Sequence, residues 1–334
     1  MKYTLFVWII ASIGSICSYG QLSRLSISGN QFVDESGQTV VLRGVSTSDP
    51  DKLEKEGHWD AGYFDEIKRW GANVVRFPVH PRAWQARGAE AYLQLLDEGV
   101  RLCTERSLYV IIDWHSIGNL QSELFFKPGY ETTRKETFTF WQTIAQRYGD
   151  NPTVAFYELF NEPTTNGGKL GIANWEGWKA LNEEMITIIR SHGATGIPLV
   201  AGFNWAYDLT AAYENPIDRQ GIGYVSHPYP QKRPQPWENA WTEDWGLIKE
   251  KYPVILTEIG FSLANEKGAH IPVISDETYG EAITTYCDER EISYVAWVFD
   301  PLWSPMLFSD WDYTPTTQGA FFKRHFESYS PSKP

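Results

Sequence analysis

The chain predicts a single (β/α)8 barrel carrying a small N-terminal β-hairpin, and three observations lead there. Apolar runs of strand length recur along the sequence, eight in all. Amphipathic stretches of helical period separate them. The runs hold little internal polarity, which suits a parallel sheet buried on both faces. At 334 residues one domain can bury roughly 75% of its unfolded surface, and no Pro/Ser/Gly-rich linker divides the chain.

The hairpin is expected between Leu25 and Thr47, with turns at 28–30 and 34–37. It leads into a first barrel strand at Val40–Val45. Further strands are expected at Asn73–Pro78, Leu108–His115, Val154–Glu162, Pro198–Gly202, Gly223–His227, Val254–Glu258 and Ser293–Val298. Helical periodicity is plain in Tyr63, Phe64, Ile67 and Trp70, closed by Gly71, and in Tyr92, Leu95, Leu96, Val100 and Leu102. It recurs in Phe138, Trp141, Ile144 and Tyr148, and in Trp178, Leu181, Met185 and Ile188. The fifth inter-strand stretch is interrupted by Asn215-Pro216, which weakens any helix there. An open doubly wound sheet would use only six of the runs, and no Gly-x-Gly-x-x-Gly follows the first strand to support a dinucleotide fold.

Residues 1–20 read as a signal peptide: Lys2 gives the charge, Leu5–Ile16 the apolar run, and Ser18-Tyr19-Gly20 a small-x-small cleavage site. The apolar run is shorter than the roughly 20 residues a membrane span requires. Cys17 follows Ile16, which is too large for lipoprotein processing. The catalytic domain then covers 21–334, and the expected address is secreted or periplasmic, with no membrane association. Cys103 and Cys287 fall on the second and seventh predicted helices, too far apart around a ring to bond. The net charge of -13 becomes -14 once Lys2, the only charged residue of the leader, is lost. That charge disfavours nucleic acid, anionic lipid and acidic polysaccharide, leaving a neutral substrate. No feature requires a partner protein, so a monomer is the simplest expectation.

The chemistry is concentrated at the strand ends. In a parallel barrel these open to the face where active sites form. The second strand ends in Arg76, a guanidinium among apolar neighbours that needs a carboxylate partner. The third ends Asp113-Trp114-His115, the fourth Asn161-Glu162, the sixth His227-Pro228-Tyr229 and the seventh Glu258, while the eighth carries Trp297. Each alone has an ordinary explanation: Arg76 as a structural ion pair, the histidines as satisfied core groups, Trp297 as packing. Six strand ends opening to one face make those explanations jointly poor. His80, His115 and His227 raise the question of a metal, but no His-Glu-x-x-His or clustered Cys/His spacing exists, so neither metal nor cofactor is expected.

Leu159-Phe160-Asn161-Glu162-Pro163 and Leu256-Thr257-Glu258-Ile259-Gly260 resemble the acid/base and nucleophile signatures of glycoside hydrolase family 5, within the clan of retaining (β/α)-barrel glycosidases. The resemblance covers essentially all of 21–334. It implies Glu162 as acid/base and Glu258 as nucleophile, supported by Arg76, Asn161, His227 and Tyr229, with Trp297 and His115 at the sugar. Two carboxyls about 5–5.5 Å apart would perform double displacement through a covalent glycosyl-enzyme. Arg76 and Tyr229 are expected to hold Glu258 ionised, and apolar surroundings with His227 to keep Glu162 protonated. Asn161 is placed for the sugar 2-hydroxyl, and His115 and His80 for other hydroxyls.

Aromatic rings stack on the C–H faces of sugars, and of the 15 tryptophans Trp84, Trp205, Trp237 and Trp303 follow strand ends and are candidates for the cleft. Trp70 and Trp141 lie on helices and are assigned to the core. The expected activity is a secreted endo-β-1,4-glucanase acting on neutral β-glucan. A β-mannanase or xyloglucanase would use the same catalytic pair, their distinction lying in loops such as 116–130 and 300–317. A non-catalytic carbohydrate-binding barrel would lack one of the two glutamates, and neither is missing.

Overall fold

The computed structural model describes residues 22–329, so the leader at 1–20 lies outside the described residues. Strands β1 (Ser26–Ser28) and β2 (Gln31–Val33) form the antiparallel hairpin. Then come β3 (Arg43–Thr47), α1 (Pro50–Lys55), α2 (Ala61–Arg69), β4 (Val74–Val79), α3 (Pro81–Arg87), α4 (Ala89–Glu105) and β5 (Tyr109–Trp114). Two short strands, β6 (Ile117–Asn119) and β7 (Leu124–Phe125), precede α5 (Arg134–Tyr148), β8 (Val154–Glu158), β9 (Glu162–Pro163) and α6 (Trp175–Ser191). The remainder is β10 (Ile197–Ala201), α7 (Phe203–Ala206), α8 (Thr210–Glu214), β11 (Gly223–Val225), α9 (Glu238–Trp241), β12 (Val254–Ile259), α10 (Glu277–Asp288), β13 (Ser293–Phe299) and α11 (Thr317–Glu327). Strands β3, β4, β5, β8, β10, β11, β12 and β13 pair in that order, all parallel, and β13 closes on β3.

The sequence predicts this barrel correctly, with shifts at the strand ends. The first strand begins at Arg43 rather than Val40, and the sixth stops at Val225, short of His227. The larger difference is the fourth: it leaves the barrel after Glu158, and Glu162 belongs to β9. The weak fifth helix is indeed broken, into α7 and α8, with Asn204, Trp205 and Ala206 between φ 55° and 61°. Three successive non-glycine residues in the left-handed region are strained. They are held by His227 N–H donating to the Ala206 carbonyl at 3.0 Å and the Lys232 ammonium donating to the Asn204 carbonyl at 3.0 Å.

The period of two along each strand sorts side chains between two cores. Val74, Ile111, Phe156, Leu199, Ile255 and Val295 fill the barrel interior, whose lower end Phe32 of the hairpin plugs, edge-on to Phe156 at 5.0 Å. The alternate residues, among them Val75, Phe77, Val110 and Ile112, pack outward against the helix layer, to which the fully buried Trp70 and Trp141 belong. Gly44 is needed where β3 and β4 approach, since a Cβ there would lie 1.8 Å from the Val74 carbonyl oxygen. Cys103 and Cys287 are both buried free thiols. No helix among the described residues is long and apolar enough to cross a membrane.

Candidate active site

Two residues beyond the inward-facing Val74, Ile111, Phe156 and Ile255, the same alternation directs Arg76, Asp113, Glu158 and Thr257 into the barrel mouth. There Arg76, fully buried, is shared among carboxylates. Its Nε and Nη2 donate to Glu158 at 2.7 and 2.9 Å, Nη1 to Glu258 at 2.9 Å, and Nη2 also meets Asp113 at 2.9 Å. A further Nη2 bond of 2.6 Å to Asn161 Oδ1 fixes that amide, leaving its buried Nδ2 with no protein partner. That nitrogen is a donor free for a ligand.

Glu258, the penultimate residue of β12, has Oε1 on Arg76 and Oε2 accepting from the Tyr229 hydroxyl at 2.9 Å. Glu162 is held differently. Its strand β9 joins β6 and β7 in a small sheet over the mouth, with Glu162 opposite Ile117 and its N–H donating to the Ser116 carbonyl at 3.1 Å. His227 bridges the two layers, with Nδ1 at 3.1 Å from Glu162 and 3.8 Å from Glu258, and Nε2 at 2.9 Å from Thr257 Oγ1. One oxygen of Glu162, one of Glu258 and one nitrogen of His227 lie within 4.8 Å of one another. Such a trio has the donor atoms for a cation, yet hydrogen bonds already engage both ring nitrogens and both Glu258 oxygens.

Electrostatics separate these acids sharply. Burial would raise Glu158, but the Arg76 charge and hydrogen bonds from His227 and Arg76 bring it down to about 2. Burial lifts Asp113 well above the usual range despite Arg76. Glu258 is also raised, by burial first and by Glu162, outweighing His227, Arg76 and Tyr229. His227 is depressed by burial, yet Glu258, Glu158 and Glu162 together push it up to about 9. In the unliganded protein the His227 imidazole is thereby favoured in its protonated form. His115, by contrast, is driven well below its ordinary value by burial and by His80 and Arg76, and is neutral.

Most other candidates converge on one wall. The Trp297 and His115 rings are parallel at 5.3 Å, His80 lies 4.5 Å from His115, and Trp303 stacks on Trp297 at 6.0 Å. Across the mouth, Trp205 meets Phe126 edge-on at 4.8 Å and lines a cavity of about 310 Å³ with Thr164 and Thr165, just past Glu162. Trp84 and Trp237 depart from expectation. Trp84 is wedged among Tyr92, Trp114 and Phe140, and Trp237 is stacked on Trp241 with its Nε1 bonded to the Pro230 carbonyl. Both follow strand ends, but they face the helix layer rather than the cleft. Sequence reasoning passed over Glu158, Thr257 and Tyr130, the last stacked near His80 at 5.5 Å. The signal for Glu158 was present in its inward register with Phe156 and in the unmet charge of Arg76.

Residues 33–302 match the cellulase family, glycosyl hydrolase family 5. The chain belongs to that family. Among family 5 proteins it is similar to a beta-glucanase from Saccharophagus degradans, whose crystal structures include a native form and a complex with cellotetraose. Identity there is 46%, TM-score 0.92, with 93% of this chain and 95% of that one covered. It is 27% identical over 257 residues to endoglucanase A of Butyrivibrio fibrisolvens, covering 73% of this chain and 54% of that protein. It is 28% identical over 296 residues to an endoglucanase of Thermobifida fusca, covering 82% of this chain and 55% of that protein. The chain thus spans about half the length of these two relatives.

Proposed function

We propose that the chain is a secreted, retaining endo-β-1,4-glucanase acting on neutral β-glucan. The observation that carries the mechanism is the closeness of Glu162 and Glu258, one oxygen of each lying within 4.8 Å of the other. Retaining pairs stand about 5–5.5 Å apart, whereas an inverting pair needs about 6.5–9.5 Å to admit a water. Glu258, oriented by Arg76 and Tyr229, attacks the anomeric carbon while Glu162 protonates the departing oxygen. Glu162 then takes a proton from water, whose oxygen displaces Glu258 and releases a sugar of unchanged anomeric configuration. His227 Nδ1, 3.1 Å from Glu162, supplies the proton that Glu162 passes on. Asn161 Nδ2 meets the 2-hydroxyl, a bond that strengthens as the ring gains positive charge.

Support for β-glucan comes from the names of the relatives and the cellotetraose held by the 46% identical structure, together with the acidic chain's preference for an uncharged polymer. Export rests on the reading of residues 1–20. The test is hydrolysis of carboxymethylcellulose, mixed-linkage glucan, xyloglucan and mannan by wild type and Glu258→Gln, with proton NMR of the first product. Cleavage of the unbranched glucans with retention, abolished in Glu258→Gln, is expected. Mannan cleavage without glucan cleavage overturns the substrate, and an inverted first product overturns the mechanism.

A further inference from the structure

Outside the catalytic cluster the chain buries further carboxylates, and one of them, Asp300, ties two loops together. Asp300 follows β13 directly and is fully buried. Its oxygens accept four hydrogen bonds from three segments. Oδ1 takes the backbone N–H groups of Leu302 and Trp303 at 2.7 and 2.9 Å; Oδ2 takes Ser48 Oγ and the Lys52 ammonium, both at 2.6 Å. Lys52, on α1, provides the cation that makes burying this charge tolerable, and its outer side meets Glu56 at 2.8 Å. The network thus ties the loop after the first barrel strand to the loop after the last.

What it fixes is an indole. Trp303 stacks on Trp297 with ring planes 22° apart, stands edge-on to His80 at 5.2 Å, and has the Lys52 ammonium 5.8 Å from its ring. Trp297 is tied to the same loop, its Nε1 donating to the Ser304 carbonyl at 3.2 Å. In the ring order, β13, β3 and β4 lie opposite β8 and β10, whose loops carry Glu162 and the Trp205 cavity. The acid/base marks the leaving-group side. Trp303 therefore lies on the other side of the cleaved bond, one ring beyond Trp297.

We propose that Lys52 is a positioning residue: through Asp300 it holds Trp303 as the platform for the sugar adjoining the cleaved one on the glycone side, and so sets how oligosaccharides register in the cleft. This rests on the glycosidase reading above. The test is hydrolysis of cellopentaose labelled at its reducing end with oxygen-18, by wild type, Lys52→Met, Ser48→Ala, Trp303→Ala, Lys52→Arg and the Lys52→Met/Trp303→Ala double variant. Lys52→Met is expected to raise KM about tenfold, the loss of one stacking contact, with kcat nearly unchanged. Cleavages that leave a single sugar on the glycone side gain share, Lys52→Arg restores the wild-type pattern, and the double variant is no worse than Trp303→Ala. A lowered melting temperature with unchanged KM and cleavage pattern overturns the proposal, as does additivity in the double variant, which would put Lys52 on the sugar itself. Should wild type cleave mannopentaose and not cellopentaose, the β-glucan reading falls, and the same variants measured on the manno-series decide the role of Lys52.

Discussion

Replacing Glu158 with Gln removes the carboxylate most tightly bound to Arg76 while keeping its shape. Glu158 is fully buried and is held down to about 2, below the ordinary glutamate value of 4.5, so its charged form is favoured in the folded chain by about 3 kcal/mol. Because the folded value is depressed, this contribution is complete above pH 4.5 and is lost as pH falls through about 2. The variant should be less stable by about 3 kcal/mol at pH 7, within the range for breaking a buried pair from one side. For a chain of this size that is roughly 5 °C in Tm. At pH 3, where the unfolded chain already binds the proton, the linkage relation leaves less than half of that gap between the two proteins. Urea denaturation of both across pH 3–7 measures it. A stability gap that does not narrow toward pH 3, or no gap at pH 7, refutes the assignment of Glu158 as the main counter-ion of Arg76.

Three other outcomes follow from the same geometry. His227, pushed up to about 9, has a raised folded value, so its protonated form favours the folded site fully below the unperturbed 6.5 and is lost as pH rises through about 9. The kcat/KM profile is expected to fall on its alkaline side near that pH, and His227→Gln to remove that limb along with most activity. Tyr229→Phe deletes the 2.9 Å bond to Glu258, and kcat is expected to drop about 10- to 100-fold with Tm nearly unchanged, measured on one soluble glucan. Gly44→Ala sets a methyl 1.8 Å from the Val74 carbonyl and is expected to destabilise by more than about 3 kcal/mol, seen as loss of soluble folded protein.

The barrel was legible because each of its signals is local. Strand runs and helical faces repeat within windows of a few residues, and their alternation admits few architectures. Glu162, Glu258, Arg76 and Tyr229 were legible because polar groups at the ends of apolar runs stand out. Glu158 was not, since it sits inside the run Val154–Glu162 and gains meaning only once the chain leaves the barrel after it. Trp84 and Trp237 misled for a related reason: proximity to a strand end in sequence does not say which side of a loop or helix a ring takes. The protonation of His227 was also hidden, because it depends on three acids, Glu158, Glu162 and Glu258, that converge on it from different strands.

Arg76 has more counter-ions than it needs, and that bears on synthesis rather than degradation. With Glu258 cut back to glycine, Glu158 still pairs with the guanidinium at 2.7 Å, so the buried charge of Arg76 is not left without a partner. On the proposed mechanism the vacated space would take the fluoride of an α-glycosyl fluoride. Glu162, in its proposed role, would take the proton from the hydroxyl of an incoming sugar. Oxygen attacks as fluoride departs, and the β-linked product, which the protein can no longer cut, accumulates. If the proposed roles hold, a scaffold whose buried arginine keeps a partner without Glu258 is one that can be turned to building chains rather than cutting them.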